Sequence, residues 1–272
     1  MTTAIMGVGI LGTTVARNLV LGGERIILAN RDKSKADKLA IELGDLASSA
    51  EVGDAIAQSD VVVLALYLDV MKFFIPEFGE KLVGKIVVDP SNPVGPDGKG
   101  GIKRTLAADQ SSGQIVASLL PRGARYVKAF GTLSGGTLAR AARRTPERAV
   151  LFYATDDAGA GETVARLITA AGFDPVKVGG VDQSIRIEFG GDLSEFGLNG
   201  RLPTIAEAEA LIGLRCTEQS ERGQCRAADM AAERSRCRFE RVASTNPSRT
   251  LPRTFITPPG RLSNRNRRTV TR

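Results

Sequence analysis

"AIMGVGILGTTVARNLVLGG", Ala4 to Gly23, puts a strand end, a glycine turn and a helix into one short stretch. Ala4, Ile5 and Met6 read as the strand. Gly7, Gly9 and Gly12 follow as Gly-x-Gly-x-x-Gly, and Val15, Leu19 and Val20 then share one helical face until the Gly22-Gly23 pair stops the helix. In such a turn the first glycine permits the tight bend, the second lets a pyrophosphate approach the backbone, and the third lets helix and strand pack closely. The helix start adds unpaired N–H groups and a partial positive charge. Gly7, Gly9, Ile10, Leu11 and Gly12 are therefore the expected pyrophosphate-binding residues. The pattern decides the fold: it opens a dinucleotide-binding βαβ unit.

The chain on either side agrees. "ERIILA" is a second strand, and "SKADKLAIELG" a second helix with Ser34 as N-cap, Asp37 three residues on and Gly44 as terminator. A short strand near Leu46 to Ser48 precedes "DVVVLALY", an unbroken apolar run of the kind buried on both faces of a parallel sheet. "KIVVDPSNPVGPDGKGG" is a fifth strand running into a Pro- and Gly-rich loop. "RYVKAF", "AVLFYAT" and "DPVKVG" are further strands, with "DAGAGETVARLITAAG" a helix between the last two. "DQSIRIEFGGDLSEFG" begins as a helix and meets a glycine pair. Strands alternating with helices define an α/β, Rossmann-like, doubly wound parallel sheet. We expect an NADP-binding domain over 1–118, a smaller α/β extension over 119–212 that completes an acceptor cleft, and an Arg-rich, disordered tail over 213–272.

Charge is divided unevenly along the chain. The formal net charge of the 272 residues is +7. Residues 213–272 hold 14 Arg, no Lys and 5 acids, so the body before them is mildly acidic. All three cysteines, Cys216, Cys225 and Cys237, are in the tail, too widely spaced for a Cys-x-x-Cys metal knuckle. The tail has neither aromatic interleaving nor a helical basic stripe, which argues against nucleic-acid binding, and its abrupt change of composition also fits a shifted reading frame. No apolar run is long enough to span a bilayer and the N-terminus has no charged n-region with a cleavage site, so a cytoplasmic protein is expected.

The end of the second strand selects the cofactor. "ILANRDKSK", Ile27 to Lys35, has Asn30 where an NAD-selective site would place an acid for the ribose hydroxyls. A 2′-phosphate needs a neutral donor with cations nearby, and Asn30, Arg31 and Lys35 provide them, Arg31 with a planar fork. NADP(H) is the expected cofactor; the alternative is that Asp32 is the ribose acid displaced by two positions. Because ligands of open parallel sheets bind beyond the carboxyl ends of the strands, Ala65, Leu66 and Tyr67 are expected to line the cofactor. Ser91, Asn92 and Pro93 are expected near the nicotinamide.

A carbonyl or imine reductase needs a positioned proton donor. The chain has no histidine, which leaves Lys128 and the three tyrosines. Lys128 lies in a strand pattern consistent with a solvent-facing side chain. A flavin-type acceptor takes hydride at a ring atom and its proton from solvent, so by elimination a flavin or deazaflavin fits better than a carbonyl. No metal site and no catalytic acid or base is expected.

Five segments, "IMGVGILGTTVARNLV", "ANRDKSKA", "VDPSNP", "VKAFGTL" and "GGVDQSIRIEFGG", together resemble the NADPH-dependent F420 reductases, also called F420H2:NADP oxidoreductases. The resemblance runs in order from about Thr3 to Leu202. It implies a Rossmann-like fold with a small C-terminal α/β extension, a 2′-phosphate held at Asn30, Arg31 and Lys35, and coenzyme F420 stacked over the nicotinamide in a cleft between the two parts. It also implies that Phe130, Gly131, Thr132 and Leu133 bound the acceptor pocket. The related group includes dinucleotide-binding enzymes of unknown substrate and the cytosolic domains of membrane metalloreductases, which reduce ordinary flavin. The sequence departs from the common family form at Gly131, where Asn often follows "KAF", and a glycine there implies a wider or weaker acceptor pocket. β-Hydroxyacid dehydrogenases share the glycine turn but need a helix lysine that Ser184 to Phe196 lacks, and pyrroline-carboxylate reductases need a helical C-terminal domain.

The resulting expectation is a hydride transfer between NADPH and a deazaflavin or flavin, a small-molecule acceptor, in a chain that also fits a homodimer. The rivals are a reductase of a small carbonyl or imine with Lys128 or Tyr126 as donor, and a non-catalytic NADP(H) sensor.

Overall fold

The computed structural model describes residues 1–213; the Arg-rich tail and its cysteines lie outside the described residues. The first unit is β1 (Thr3–Met6), α1 (Ile10–Leu21) and β2 (Ile26–Ala29), followed by α2 (Lys33–Leu43), β3 (Ala47–Ser49), α3 (Val52–Ala57) and β4 (Val61–Leu64). Next come α4 (Leu68–Leu82), β5 (Ile86–Asp89), the strands β6 (Val94–Pro96) and β7 (Ile102–Arg104), and α5 (Ser112–Leu119). The last stretch holds β8 (Arg125–Lys128), α6 (Gly135–Ala141), β9 (Val150–Ala154), α7 (Ala158–Ala170), β10 (Asp174–Gly179), a 3₁₀ turn (Val181–Gln183) and α8 (Ser184–Ile187). A further helix begins at residue 205.

Eight strands form one sheet in the order β10-β9-β8-β5-β4-β1-β2-β3. The six from β8 to β3 are parallel; β9 is antiparallel to β8, and β10 parallel to β9. Every residue of β1, β2, β4 and β5 is buried, as their unbroken apolar runs require when helices cover both faces. Alternation along the strands assigns the two faces. Ile5, Leu28, Val61 and Val63 pack with the apolar sides of α1, α2, α6 and α7. Ala4, Met6, Val62 and Leu64 pack with α3, α4 and α5. This is the doubly wound α/β arrangement expected from the sequence. A third cluster, including Phe152, Val178, Ile187 and Leu193, packs around β9 and β10.

Two local expectations are corrected. The second helix is capped by Asp32, not Ser34: Asp32 Oδ1 accepts from the Ser34 N–H at 3.2 Å and from its hydroxyl at 2.7 Å. Asp37 instead accepts from Lys33 Nζ and the Ser49 hydroxyl, both at 2.6 Å. The stretch read as a Pro- and Gly-rich loop after β5 folds into the β6–β7 hairpin, with Asp97 Oδ1 accepting from the N–H groups of Lys99 and Gly101 to close its tip.

Candidate functional site

The sheet order reverses between β1 and β4, whose carboxyl ends run into Gly7 and Ala65. A crevice at this place is where an open α/β sheet holds a ligand. The glycine turn is built to leave room there. Gly7 has φ +95°, and a Cβ on it would lie 2.6 Å from the Ala65 carbonyl oxygen. On Gly12 it would lie 2.0 Å from the Gly7 oxygen, so the helix sits directly on the turn. A Cβ on Gly9 would meet nothing within 4 Å. Helix α1 has no side-chain cap and no acid in its first turn, so its N-terminal N–H groups face no competing carboxylate. Open space at Gly9 beside free donors fits a diphosphate.

The cleft encloses about 390 Å³, within the range of small-ligand sites. Of the residues named from the sequence, it brings together Gly9, Ile10, Leu11 and Gly12 from the turn, and Ala65, Leu66 and Tyr67 after β4. Ser91 and Asn92 after β5, and Gly131, Thr132 and Leu133 after β8, complete this set. Val94 and Ile102 of the hairpin, together with Phe189 and Phe196, close it. Sequence reasoning missed these four, because the hairpin and the segment after α8 reach the cleft only through tertiary contacts. Ile10, Tyr67, Ile102 and Phe196 are each more than half exposed, which gives the mouth an apolar rim. Phe189 and Phe196 pair with ring centroids 4.6 Å apart.

The other named residues stand elsewhere. Gly7, the first glycine of the turn, is outside the lining. Asn30 ties β2 to it, with Oδ1 accepting from the Val8 N–H at 3.4 Å and Nδ2 donating to the Asp32 carbonyl at 3.0 Å. Arg31, just past β2, and Lys35, in the first turn of α2, are both exposed. Asp32 is held below the usual carboxylate range, first by the Ser34 hydroxyl, which outweighs the opposing effect of desolvation, and then by the Ser34 N–H and the charges of Lys35 and Lys38. Its capping oxygen is thus engaged by α2. Pro93 is outside the lining, and Phe130 is fully buried in the core at φ 65°, a left-handed conformation that is strained for a side chain of its size.

Gly131 does not widen the pocket in the manner of a simple truncation. A Cβ there would lie 2.6 Å from the Pro90 carbonyl oxygen. The backbone here lies close against the loop after β5, with no room left for a side chain. Asn92 fixes that approach, donating from Nδ2 to the Gly131 carbonyl at 2.8 Å and accepting at Oδ1 from the Phe189 N–H at 2.7 Å. One amide thus fastens three walls of the cleft.

Lys128 is not solvent-facing, as its strand pattern suggested, but 1% exposed. It donates to Asp89 Oδ2 at 2.9 Å, the Ser91 carbonyl at 2.6 Å and the Ser112 hydroxyl at 3.3 Å, which uses all three of its N–H groups. Asp89 Oδ2 also accepts from the buried Tyr126 hydroxyl at 2.8 Å. Burial, and then the negative charge of Asp89, push the Tyr126 hydroxyl well above its ordinary range. Neither Lys128 nor Tyr126 lines the cleft. Deeper still, the buried Glu188 accepts from the Ser111 hydroxyl at 2.6 Å and the N–H groups of Gly113 and Ser112 at 2.8 and 3.1 Å. Arg104 reaches Glu188 at 3.4 Å and donates to the Phe189 carbonyl at 2.8 Å, anchoring the hairpin. Burial would raise the Glu188 carboxyl, but the charge of Lys128 and these hydrogen bonds hold it below its ordinary value.

The fold and the position of the cleft are those of a Rossmann-type dinucleotide-binding protein. Residues 2–93 match the family described as NADP oxidoreductase, coenzyme F420-dependent. Over this dinucleotide-binding part the chain is similar to that family, and it is an NADPH-dependent oxidoreductase. Its relatives include the F420-dependent NADP reductase of Methanothermobacter thermautotrophicus, 26% identical over 194 residues that make up 68% of this chain and 83% of that protein. A hypothetical protein, SMa0349 of Sinorhizobium meliloti, is 30% identical with a TM-score of 0.66, over 75% of this chain and 95% of that one. A protein from Arthrobacter sp. FB24, described as a candidate F420-dependent NADP reductase, superposes with a TM-score of 0.59 at 23% identity, over 68% and 87% of the two chains. Among the described residues no helix is long and apolar enough to cross a membrane, and no cluster of three metal-ligating side chains is present.

Proposed function

We propose that the protein transfers a hydride between NADPH and a deazaflavin, coenzyme F420, or a flavin bound in the cleft. One observation carries this reading: among the described residues lining the cleft, none is Asp, Glu, Lys, Arg, His or Cys, and Tyr67 alone has a titratable side chain. A reaction at a carbonyl or imine needs a held proton donor. Hydride transfer to a flavin-type ring needs two planar rings held at near-attack distance, which is positioning chemistry. The relatives named for F420-dependent reduction support the same acceptor.

In this reading Gly9 and the α1 N-terminus hold the pyrophosphate, while Asn30, Arg31 and Lys35 hold the 2′-phosphate. Ala65, Leu66 and Tyr67 flank the cofactor, and Ser91 and Asn92 lie beside the nicotinamide. NADPH supplies the hydride. Thr132, Leu133 and the Phe189–Phe196 pair confine the acceptor, and the apolar rim excludes water from the transfer. The acceptor's proton comes from solvent. Lys128 and Tyr126, the donors a carbonyl reductase would need, are committed to Asp89 behind the wall.

The test is to mix the purified protein with NADPH and, separately, F420, FMN and FAD, following loss of nicotinamide absorbance. Oxidation is expected with F420 or a flavin. Turnover only with a cyclic imine or a small ketone would overturn the reading.

A further inference from the structure

We propose that the buried Asp89–Lys128 pair is a positioning device for Ser91, and that the Ser91 hydroxyl is the polar contact for the carboxamide of a nicotinamide ring in the cleft. The proposal rests on the NADP(H) reading above and adds to it the groups that orient the ring.

Three observations carry it. First, Ser91 is held at both of its backbone groups by side chains: its N–H donates to Asp89 Oδ1 at 2.8 Å, and its carbonyl accepts from Lys128 Nζ at 2.6 Å. Asp89 and Lys128 are bound to each other at 2.9 Å with side-chain exposures of 0% and 1%. A buried pair is stable only when its remaining donors and acceptors are satisfied, and here Tyr126, Ser112 and the two Ser91 groups satisfy them. The pair therefore exists in one geometry, and that geometry fixes Ser91.

Second, with its backbone pinned, the Ser91 hydroxyl is left buried without a hydrogen-bond partner among the described residues. A buried hydroxyl without a partner is unfavourable, and a bound group supplies one. Third, apart from the exposed Tyr67 at the mouth, the other polar side chains of the wall are already engaged: both ends of the Asn92 amide, the Ser194 hydroxyl on the Gly191 carbonyl at 2.7 Å, the Ser134 hydroxyl on Thr137 at 3.1 Å, and the Thr132 hydroxyl on the Phe152 carbonyl at 3.4 Å. A carboxamide offers both a donor and an acceptor, and a serine hydroxyl pairs with either. Lys128 and Asp89 touch neither cofactor nor acceptor, so they are positioning residues.

The experiment compares two ligands by titration calorimetry on the full chain: NADPH, and 2′-phospho-ADP-ribose, which keeps the adenosine, 2′-phosphate and pyrophosphate but lacks the nicotinamide. Ser91→Ala is expected to weaken NADPH by about 3- to 10-fold, the range for one hydrogen bond, and the truncated ligand by less than about twofold. Lys128→Met is expected to reproduce this difference, and the Ser91→Ala/Lys128→Met double variant to be no weaker than either single variant by more than about twofold, because both act through one contact. Should Lys128→Met fail to fold, Asp89→Asn/Lys128→Met removes the uncompensated charge and takes its place. Equal weakening of both ligands, no effect of Ser91→Ala, or additive losses in the double variant would overturn the proposal. If the unaltered chain binds neither ligand, the NADP(H) reading falls and the proposal with it.

Discussion

Arg31 is an exposed cation just past the end of β2, directly before a carboxylate that α2 already employs. That neighbourhood gives it little to do for the fold, so its replacement is a clean test of cofactor choice. Arg31→Ser is expected to raise the Michaelis constant for NADPH about 10-fold or more, the size of a lost charge-assisted hydrogen bond. The constant for NADH should change by less than about twofold, and equal effects on the two would end the 2′-phosphate assignment. Gly131 is the opposite kind of residue, buried at the cleft wall with no room for a side chain. Gly131→Ala drives a Cβ against the Pro90 carbonyl, and an overpacked contact of this kind costs about 1–3 kcal/mol. A lowered melting temperature together with a higher acceptor Michaelis constant is expected. The glycine turn was readable because its rule is local, strand then Gly-x-Gly-x-x-Gly then helix. Gly131 and Lys128 were misread because their environments come from residues distant in sequence: Pro90 faces one, and Asp89 the other.

Helix α5 shows how an element serves a site that it does not line. Its N-terminal N–H groups end on Glu188, and Glu188 precedes Phe189 of the cleft wall, so the helix end fixes the wall. The Glu188 carboxyl titrates below its ordinary value in the folded chain. Its contribution to stability is therefore complete above the ordinary Glu range and is lost as pH falls through the depressed value. Glu188→Gln replaces an acceptor-only group with an amide that must place one donor among donors. The cost is about 2 kcal/mol, or a fall of about 4–8 °C in melting temperature for a domain of this size. A variant that melts with the unaltered protein at pH 7 would show that the network carries no stability. The large strands were legible in the sequence because a run buried on both faces must be apolar throughout. The β6–β7 hairpin was not, since its prolines and glycines suit a loop equally well and its anchor, Arg104, bonds to Phe189 and Glu188 far along the chain.

At the scale of the molecule, the strand–helix alternation was enough to give the doubly wound architecture, because each strand's odd and even residues feed the two helical layers. The chain has no histidine, so no side chain with an ordinary pKa titrates between pH 5 and 8. Asp32, Asp37, Asp97, Glu188, Glu195 and Glu207 all titrate below their ordinary values. Depressed carboxylates stabilise the fold above their unfolded values and cease to do so on acidification. The melting temperature is accordingly expected to stay nearly level from pH 8 to 5 and to fall below about pH 4. A steep change near neutrality would contradict this account.

The two outermost strands carry a further consequence. Within the described residues β3 has three residues, two of them serines, while β10 contains Pro175, which has no N–H, and breaks register between Lys177 and Gly179. Short, polar or proline-bearing strands are poor templates for another chain. The broad, apolar sheet that creates the cleft thus ends on both sides in strands ill suited to edge-to-edge stacking, and self-association into extended β aggregates is discouraged by the same elements that complete the fold.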